Sequence, residues 1–65
     1  MFFEFKTKRN EKVSININML LFITPCKNGT YIIDAEGNEY ESCEGYDSFM
    51  QRLQNTISQN MRQIV

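Results

Sequence analysis

The chain has 65 residues, a hydrophobic fraction of 42% and a formal net charge of −1. This length allows one domain, residues 1–65, and the hydrophobic fraction is that of a globular chain rather than a disordered one. The longest apolar run, residues 19–23, is far shorter than the about 20 residues that a transmembrane helix needs. The N-terminus also lacks the basic and then apolar pattern of a secretory signal, so we expect a cytoplasmic protein.

Five short strands and one helix are predicted along the chain. Runs that alternate apolar and polar residues indicate strands, and an apolar residue at every fourth position near the C-terminus indicates an amphipathic helix. The predicted strands lie at about residues 2–7, 12–17, 19–26, 30–34 and 39–42, and the predicted helix lies at about residues 48–63. The expected fold class is therefore α+β, an antiparallel β meander followed by one C-terminal amphipathic helix.

The first two strands are expected to form a hairpin with a loop of odd length. A three-residue loop at residues 9–11 places Phe5 opposite Ile15 and keeps Phe3 on the same inward face. A loop of even length would turn these side chains to opposite faces, because side chains alternate along a strand. Asn10 is expected near the left-handed conformation that such a loop requires.

The third and fourth strands are expected to form a second hairpin. A bend around Asn18 leads into the third strand, and Pro25 predicts an edge or a strand end because proline donates no ladder hydrogen bond. Asparagine and glycine at residues 28–29 are typical of a two-residue hairpin loop, which would pair Cys26 with Tyr31.

A third turn is predicted at residues 36–37, and it would pair Ile33 with Tyr40. Together with the second hairpin it predicts an inward face made of Phe22, Thr24, Cys26, Tyr31, Ile33, Ala35 and Tyr40. The predicted outward face holds Ile23, Pro25, Ile32, Asp34, Glu39 and Glu41.

The C-terminal helix is expected to begin at a polar cap. Asp47 or Ser48 has the side chain for this role, and Ser48 followed by Gln51 has the form of a capping box. The apolar stripe of the helix is expected at Phe49, Leu53, Ile57 and Met61.

No residue pattern indicates catalysis, a cofactor or a metal. The chain has no histidine, and Cys26 and Cys43 are distant in sequence, as expected of two reduced thiols. Asp34 begins a stretch that resembles a calcium loop, but Glu39 stands where the loop needs glycine and Gly45 stands where it needs an acid. We therefore expect a protein that is not an enzyme, with no cofactor and no metal.

An exposed apolar strip predicts a protein partner or self-association. Phe2 is expected to point away from the core, and Ile23 and Ile32 lie on the predicted outward face. The alternative is that the helix covers one face of the sheet and the N-terminal hairpin covers the other.

A small basic group of residues allows a second hypothesis, nucleic-acid binding. The sequence pI of about 5.2 is lower than that of a dedicated nucleic-acid-binding domain, so this hypothesis ranks behind the first. The residues that would contact nucleic acid are Lys6, Lys8, Arg9, Lys12, Arg52 and Arg62.

The order of strands, turns and aromatic residues resembles small flagellar FlbD-type proteins and one half of LytTR-type DNA-binding domains. The residues that carry the resemblance are Val13-x-Ile15-x-Ile17, Leu21-Phe22-Ile23-x-Pro25-Cys26-x-Asn28-Gly29-Thr30-x-Ile32, Glu36-Gly37-x-Glu39-Tyr40 and Tyr46-Asp47. The resemblance implies a bacterial or phage origin and a meander followed by a helix, and it assigns no site. The leading hypothesis is a non-catalytic interaction or regulatory protein, and the alternative is a small nucleic-acid-binding regulator.

Overall fold

The computed structural model describes residues 1–61, and it has the expected α+β architecture. Five strands and one helix follow one another as β1 (Phe2–Lys6), β2 (Lys12–Asn16), β3 (Leu20–Cys26), β4 (Gly29–Asp34), β5 (Glu39–Ser42) and α1 (Tyr46–Met61). The strands form two antiparallel sheets, a two-stranded sheet β1-β2 and a three-stranded sheet β3-β4-β5. The predicted end of the helix near residue 63 lies outside the described residues.

The β1-β2 hairpin has the expected odd loop, one residue earlier than predicted. The backbone N–H of Thr7 donates to the carbonyl of Glu11 at 2.9 Å and closes a loop at residues 8–10, in which Asn10 has a φ of 65°. Phe5 therefore lies opposite Val13 instead of Ile15. Because this register differs from the predicted one by two residues, the inward face is unchanged.

A one-turn 3-10 helix at Ile17–Met19 forms the expected bend between β2 and β3. The side chain of Asn16 accepts a hydrogen bond from the backbone N–H of Asn18 at 3.0 Å. Asparagine favours this local bond, which ends β2 and turns the chain.

The turn between β3 and β4 also lies one residue earlier than predicted. Residues 27–28 form the loop, Asn28 has a φ of 65°, and Cys26 pairs with Gly29. Gly29 is required for another reason, since a Cβ atom there would lie 1.9 Å from the carbonyl oxygen of Ser42 on β5.

The β4-β5 hairpin reverses the predicted faces of β3 and β4. Its loop has three residues, 35–37, because the N–H of Asp34 donates to the carbonyl of Asn38 at 3.0 Å and Gly37 adopts a φ of 88°. Tyr40 therefore pairs with Ile32 and not with Ile33. A shift of one residue exchanges the two sides of one strand relative to the next, so the predicted inward face was wrong for β3 and β4. Tyr40 of β5 packs against the core, as predicted.

The core lies between the inner faces of both sheets and one side of α1. Phe49 is completely buried, and its ring meets those of Phe3 and Phe5 edge-on at centroid distances of 5.2 and 5.4 Å. The buried hydrophobic residues are Phe3, Phe5, Ile15, Ile32, Phe49 and Leu53. The prediction that β1 directs Phe3 and Phe5 inward is confirmed.

Helix α1 begins at Tyr46, two residues before the predicted start. Ser48 therefore lies inside the first turn, where its hydroxyl donates to the Glu44 carboxylate at 2.7 Å instead of capping the helix. The chain before α1 is held by two buried polar side chains of the sheet. The hydroxyl of Thr30 donates to the carbonyl of Glu44 at 2.8 Å, and the hydroxyl of Ser42 accepts from the N–H of Glu44 at 3.2 Å.

Candidate functional site

The structure places two of the three residues predicted for a protein interface on the core side of the sheet. Ile32 is completely buried, and Ile23 is half-buried and packs against the core. Their predicted place on the outward face was wrong because the loop before β5 has three residues, which turns this side of β3 and β4 inward. Phe2 does lie on the surface, with 65% of its area exposed.

Two consecutive apolar residues of β3 are exposed instead. Leu21 is 70% exposed and Phe22 is 52% exposed. The register of β3 against β4 shifts between Leu20 and Phe22, so one extra residue is accommodated at this point. Such a bulge changes the direction of the side chains next to it. The prediction that Phe22 faces the core was wrong. The apolar run at residues 19–23 is the sequence signal for this surface, because successive side chains of a strand point to opposite faces and such a run makes both faces apolar.

The outer edge of β3 has no strand beside it. In the sheet order β3-β4-β5, β3 pairs only with β4, and within residues 1–61 the backbone of residues 21–26 makes no hydrogen bond to any other segment. The opposite edge of the sheet is covered in part, because the N–H of Lys8 donates to the carbonyl of Glu41 on β5 at 2.8 Å. Pro25 lies in the edge strand, as predicted. We call the free edge of β3, with Leu21 and Phe22, the β3 surface.

The face of the sheet next to the β3 surface becomes acidic towards β5. Tyr31 and Ile33 are half-buried on this face, and the Tyr31 hydroxyl donates to the Glu39 carboxylate, which raises the pKa of Tyr31. Glu41 on the same face forms an ion pair with Lys8 at 2.9 Å. The hydrogen bond from Lys8 to Glu41 raises the pKa of Lys8. The apolar part of the face therefore lies beside β3 and the charged part beside β5.

The residues predicted to contact nucleic acid are partly brought together. A cleft of about 490 Å³ between the β1-β2 hairpin and the start of α1 is lined by Lys6, Lys8, Lys12 and Arg52. Arg9 lines a second cleft of about 460 Å³, on the side of Tyr31 and Glu39 to Glu41. Arg62 lies outside the described residues.

Three of the four cations that line the first cleft are paired with carboxylates. Lys8 lies 2.9 Å from Glu41, Lys12 lies 3.8 Å from Glu4, and Arg52 lies 2.8 Å from Glu44. Lys6 makes no ion pair with any residue in the described part of the chain. A phosphate in this cleft would therefore compete with the protein's own carboxylates.

Arg52 joins α1 to β1 and to the segment before the helix. Its guanidinium makes hydrogen bonds of 2.8 to 3.2 Å to both oxygens of Glu44, donates to the carbonyl of Glu4 at 3.1 Å, and lies 4.7 Å from the centre of the Phe3 ring. These bonds to Glu44 raise the pKa of Arg52 and lower the pKa of Glu44. Arg52 therefore stabilises the packing of α1 against β1 and the segment before the helix.

We expect Arg52→Lys to lower the free energy of unfolding by about 1 kcal/mol, because a lysine loses both the bidentate pair and the planar contact with Phe3. Urea denaturation followed by circular dichroism measures this difference. Arg9→Lys is the matched control, since the Arg9 side chain is exposed and makes no hydrogen bond or ion pair in the described residues. Equal midpoints for the two variants would contradict a role for the guanidinium geometry.

Asp34 is a buried carboxylate that organises the β4-β5 turn. It is 5% exposed and accepts hydrogen bonds from the backbone N–H groups of Glu36 and Asn38, from the Asn38 side chain and from the Tyr40 hydroxyl, at 2.9 to 3.1 Å. Burial raises the pKa of Asp34, but the hydrogen bonds together lower it by more, so this pKa lies below its usual value. Burial and the bond to Asp34 raise the pKa of Tyr40. This acid therefore has a structural role, and it is not part of an acidic surface.

The stability of the protein is expected to fall on acidification as Asp34 takes up a proton. A carboxyl whose pKa is lowered by folding stabilises the protein fully above its unfolded pKa of about 3.9, and this contribution disappears as the pH falls through the lower folded value. Asp34→Asn should reduce stability at pH 7 and weaken the pH dependence below about pH 4. Thermal melts of both proteins between neutral and acidic pH test this, with Glu36→Gln as the exposed control. An unchanged slope in Asp34→Asn would contradict the assignment.

The two cysteines are free, with Cys26 half-buried and Cys43 exposed. The described residues contain no group of three or more side chains able to hold a metal ion. None of the helices in the part of the chain that the structure describes is long and apolar enough to cross a membrane.

Comparison of the chain with protein-family models, with curated proteins and with solved structures finds no match. The resemblance to FlbD-type proteins and to half of a LytTR-type domain therefore stays a prediction.

Proposed function

We propose that the protein is a non-catalytic interaction protein that binds another protein through the β3 surface. The observation that carries this proposal is the pair of exposed neighbours Leu21 and Phe22, at 70% and 52% exposure, on a strand whose outer edge is free. Scattered single apolar residues are normal on protein surfaces, whereas adjoining large ones beside an open strand edge are typical of contact sites. The free edge of β3 also has backbone N–H and C=O groups that can form hydrogen bonds with a partner strand.

A regulatory role in the cytoplasm of a bacterium or phage-infected cell is part of the same proposal. It is supported by the order of strands and turns that resembles FlbD-type and LytTR-type proteins. The structural use of Asp34, Glu44 and Arg52 also favours an interaction protein over an enzyme.

Capture experiments with matched variants test the proposal. Immobilised wild-type protein is incubated with lysate of the cells that produce it, after nuclease treatment, and bound proteins are identified by mass spectrometry. Leu21→Asp should lose the captured protein because it places a charge at the centre of the contact. Phe2→Asp should retain it, since Phe2 is equally exposed but belongs to the other sheet. Equal capture by wild type and Leu21→Asp would overturn the proposed site.

Nucleic-acid binding is the second candidate function, favoured by one observation. The structure places Lys6, Lys8 and Lys12 of the first hairpin and Arg52 of α1 around one cleft. Binding through these residues would weaken steeply as salt is raised, because each neutralised phosphate releases counterions. Fluorescence anisotropy with single-stranded and duplex oligonucleotides at low and high salt measures this. Lys6→Glu should abolish the salt-dependent binding, and no binding at low salt would remove the candidate.

A further inference from the structure

We infer that the partner of the β3 surface is a second copy of the same chain, paired antiparallel along β3. The two three-stranded sheets would then join into one six-stranded sheet related by a two-fold axis. This inference rests on the proposed function, because it uses the same surface.

The edge strand β3 is long and uncharged. Natural edge strands are short, or they carry charged side chains or covering loops, which prevent association with other strands. β3 has seven residues, is the longest strand of the structure, and contains no charged residue. Its protective features are Pro25, near the C-terminal end, and the bulge between Leu20 and Phe22. The strands of the two-stranded sheet are shorter and charged, since β1 and β2 have five residues each, with Glu4 and Lys6 on β1 and Lys12 on β2.

The charges at the two ends of β3 are opposite and unpaired. Lys27 follows the last residue of β3, and Glu36 lies in the turn next to its first residues, since the N–H of Ala35 donates to the carbonyl of Met19 at 2.7 Å. Both Lys27 and Glu36 are exposed, and neither makes an ion pair within residues 1–61. An antiparallel copy brings each Lys27 to the end of the edge where the other copy has Glu36. A parallel copy would instead place like charges together, which disfavours it.

Pro25 limits where the two-fold axis lies. Proline offers no N–H group, so a productive ladder must place it outside the paired segment. An axis at Phe22 sets Leu21 opposite Ile23 of the second copy and leaves Pro25 opposite Met19, which precedes the strand. The two Phe22 side chains then lie side by side, with Cβ atoms about 4.5–5.5 Å apart, and cover one another from solvent.

The size of the contact predicts a weak and reversible dimer. Stable interfaces bury at least about 1,200 Å² in total, or about 600 Å² per copy. That amount is about an eighth of the 4755 Å² accessible surface of the chain. Pairing along residues 20–24, which is less than the seven-residue strand, falls at or below this lower limit, so we expect a dissociation constant in the micromolar range.

Sedimentation equilibrium across about 1 µM to 1 mM protein tests the inference, since this range spans the expected dissociation constant. Wild type and Phe2→Lys should show a monomer–dimer equilibrium, and Phe22→Lys should dissociate at least about tenfold more readily, because two like charges would meet at the axis. Circular dichroism confirms that each variant is folded. A wild-type protein that stays monomeric at the highest concentration, or a dimer unchanged by Phe22→Lys, would overturn the inference.

A cross-linking experiment tests the register itself. In a background of Cys26→Ser and Cys43→Ser, Phe22→Cys should form a disulfide-linked dimer under mild oxidation, because two Cβ atoms about 4.5 Å apart fit a disulfide. Phe2→Cys in the same background is the control, and it should remain monomeric. Cross-linking of both variants alike, or of neither, would contradict the axis at Phe22. If the chain is monomeric but lysate capture still depends on Leu21, self-pairing fails while the proposed function stands.

Discussion

Phe49→Ala is expected to lower the free energy of unfolding by about 3–5 kcal/mol, the range for removing a buried aromatic side chain. The side chain is completely buried and contacts the rings of Phe3 and Phe5 edge-on. Phe49 packs α1 against the β1-β2 hairpin, so its truncation leaves a cavity between these two elements. A domain of this size has a total stability of about 3–10 kcal/mol, so the variant is expected to be largely unfolded at 37 °C.

Far-UV circular dichroism and urea denaturation measure this effect. Phe2→Ala is the matched control, because it removes the same side chain from a position with 65% exposure, and we expect a change within about 0.5 kcal/mol. If Phe49→Ala unfolds at nearly the same urea concentration as Phe2→Ala, the packing of α1 on the hairpin does not hold the fold together.

Gly29→Ala is expected to destabilise the protein by about 2 kcal/mol or more, through overpacking rather than backbone strain. The added Cβ atom would lie 1.9 Å from the carbonyl oxygen of Ser42, which is backbone and cannot rotate away. β4 and β5 would have to separate at the end that leads into α1. The displacement should therefore also disturb the hydrogen bond from the Thr30 hydroxyl to the carbonyl of Glu44.

Gly45→Ala is the control for this prediction. No atom lies within 4 Å of a Cβ built at Gly45, so we expect its stability to stay within about 1 kcal/mol of wild type. Chemical denaturation compares the two variants, and amide hydrogen exchange shows where the protection is lost. Gly29→Ala with unchanged exchange in β4 and β5 would show that the close approach to Ser42 is absent in solution.

The direction of the side chains in the first hairpin and the helix could be predicted from the sequence. Phe3 and Phe5 alternate with charged residues, so one face of β1 is the apolar one whatever the exact pairing. The predicted register differed from the observed one by two residues, which left every side chain on its predicted face. In α1, Phe49 and Leu53 repeat with the helical period and are both buried, although the helix starts earlier than predicted.

The same reasoning failed in the three-stranded sheet because both of its faces are apolar. Phe22 and Ile33 lie on one face, and Ile23 and Ile32 lie on the other, so the alternation does not indicate which face is buried. The predicted buried face of β3 and β4 depended on the length of the β4-β5 loop. The loop has three residues instead of the predicted two, and this difference places the opposite face against the core. In the observed three-residue loop the buried Asp34 carboxylate accepts two backbone hydrogen bonds of the turn, from the N–H groups of Glu36 and Asn38.

The candidate site was missed for the same reason. Leu21 and Phe22 are exposed because β3 bulges and because α1 and the hairpin cover the opposite face of the sheet. The sequence by itself determined the types and order of the elements and the buried sides of β1 and α1, because these depend on local periodicity. Only the tertiary structure decided which face of the β3-β4-β5 sheet meets the core and which strand edge stays open. The buried face and the open edge depend on contacts between residues far apart in the chain, such as the packing of Phe49 on the sheets.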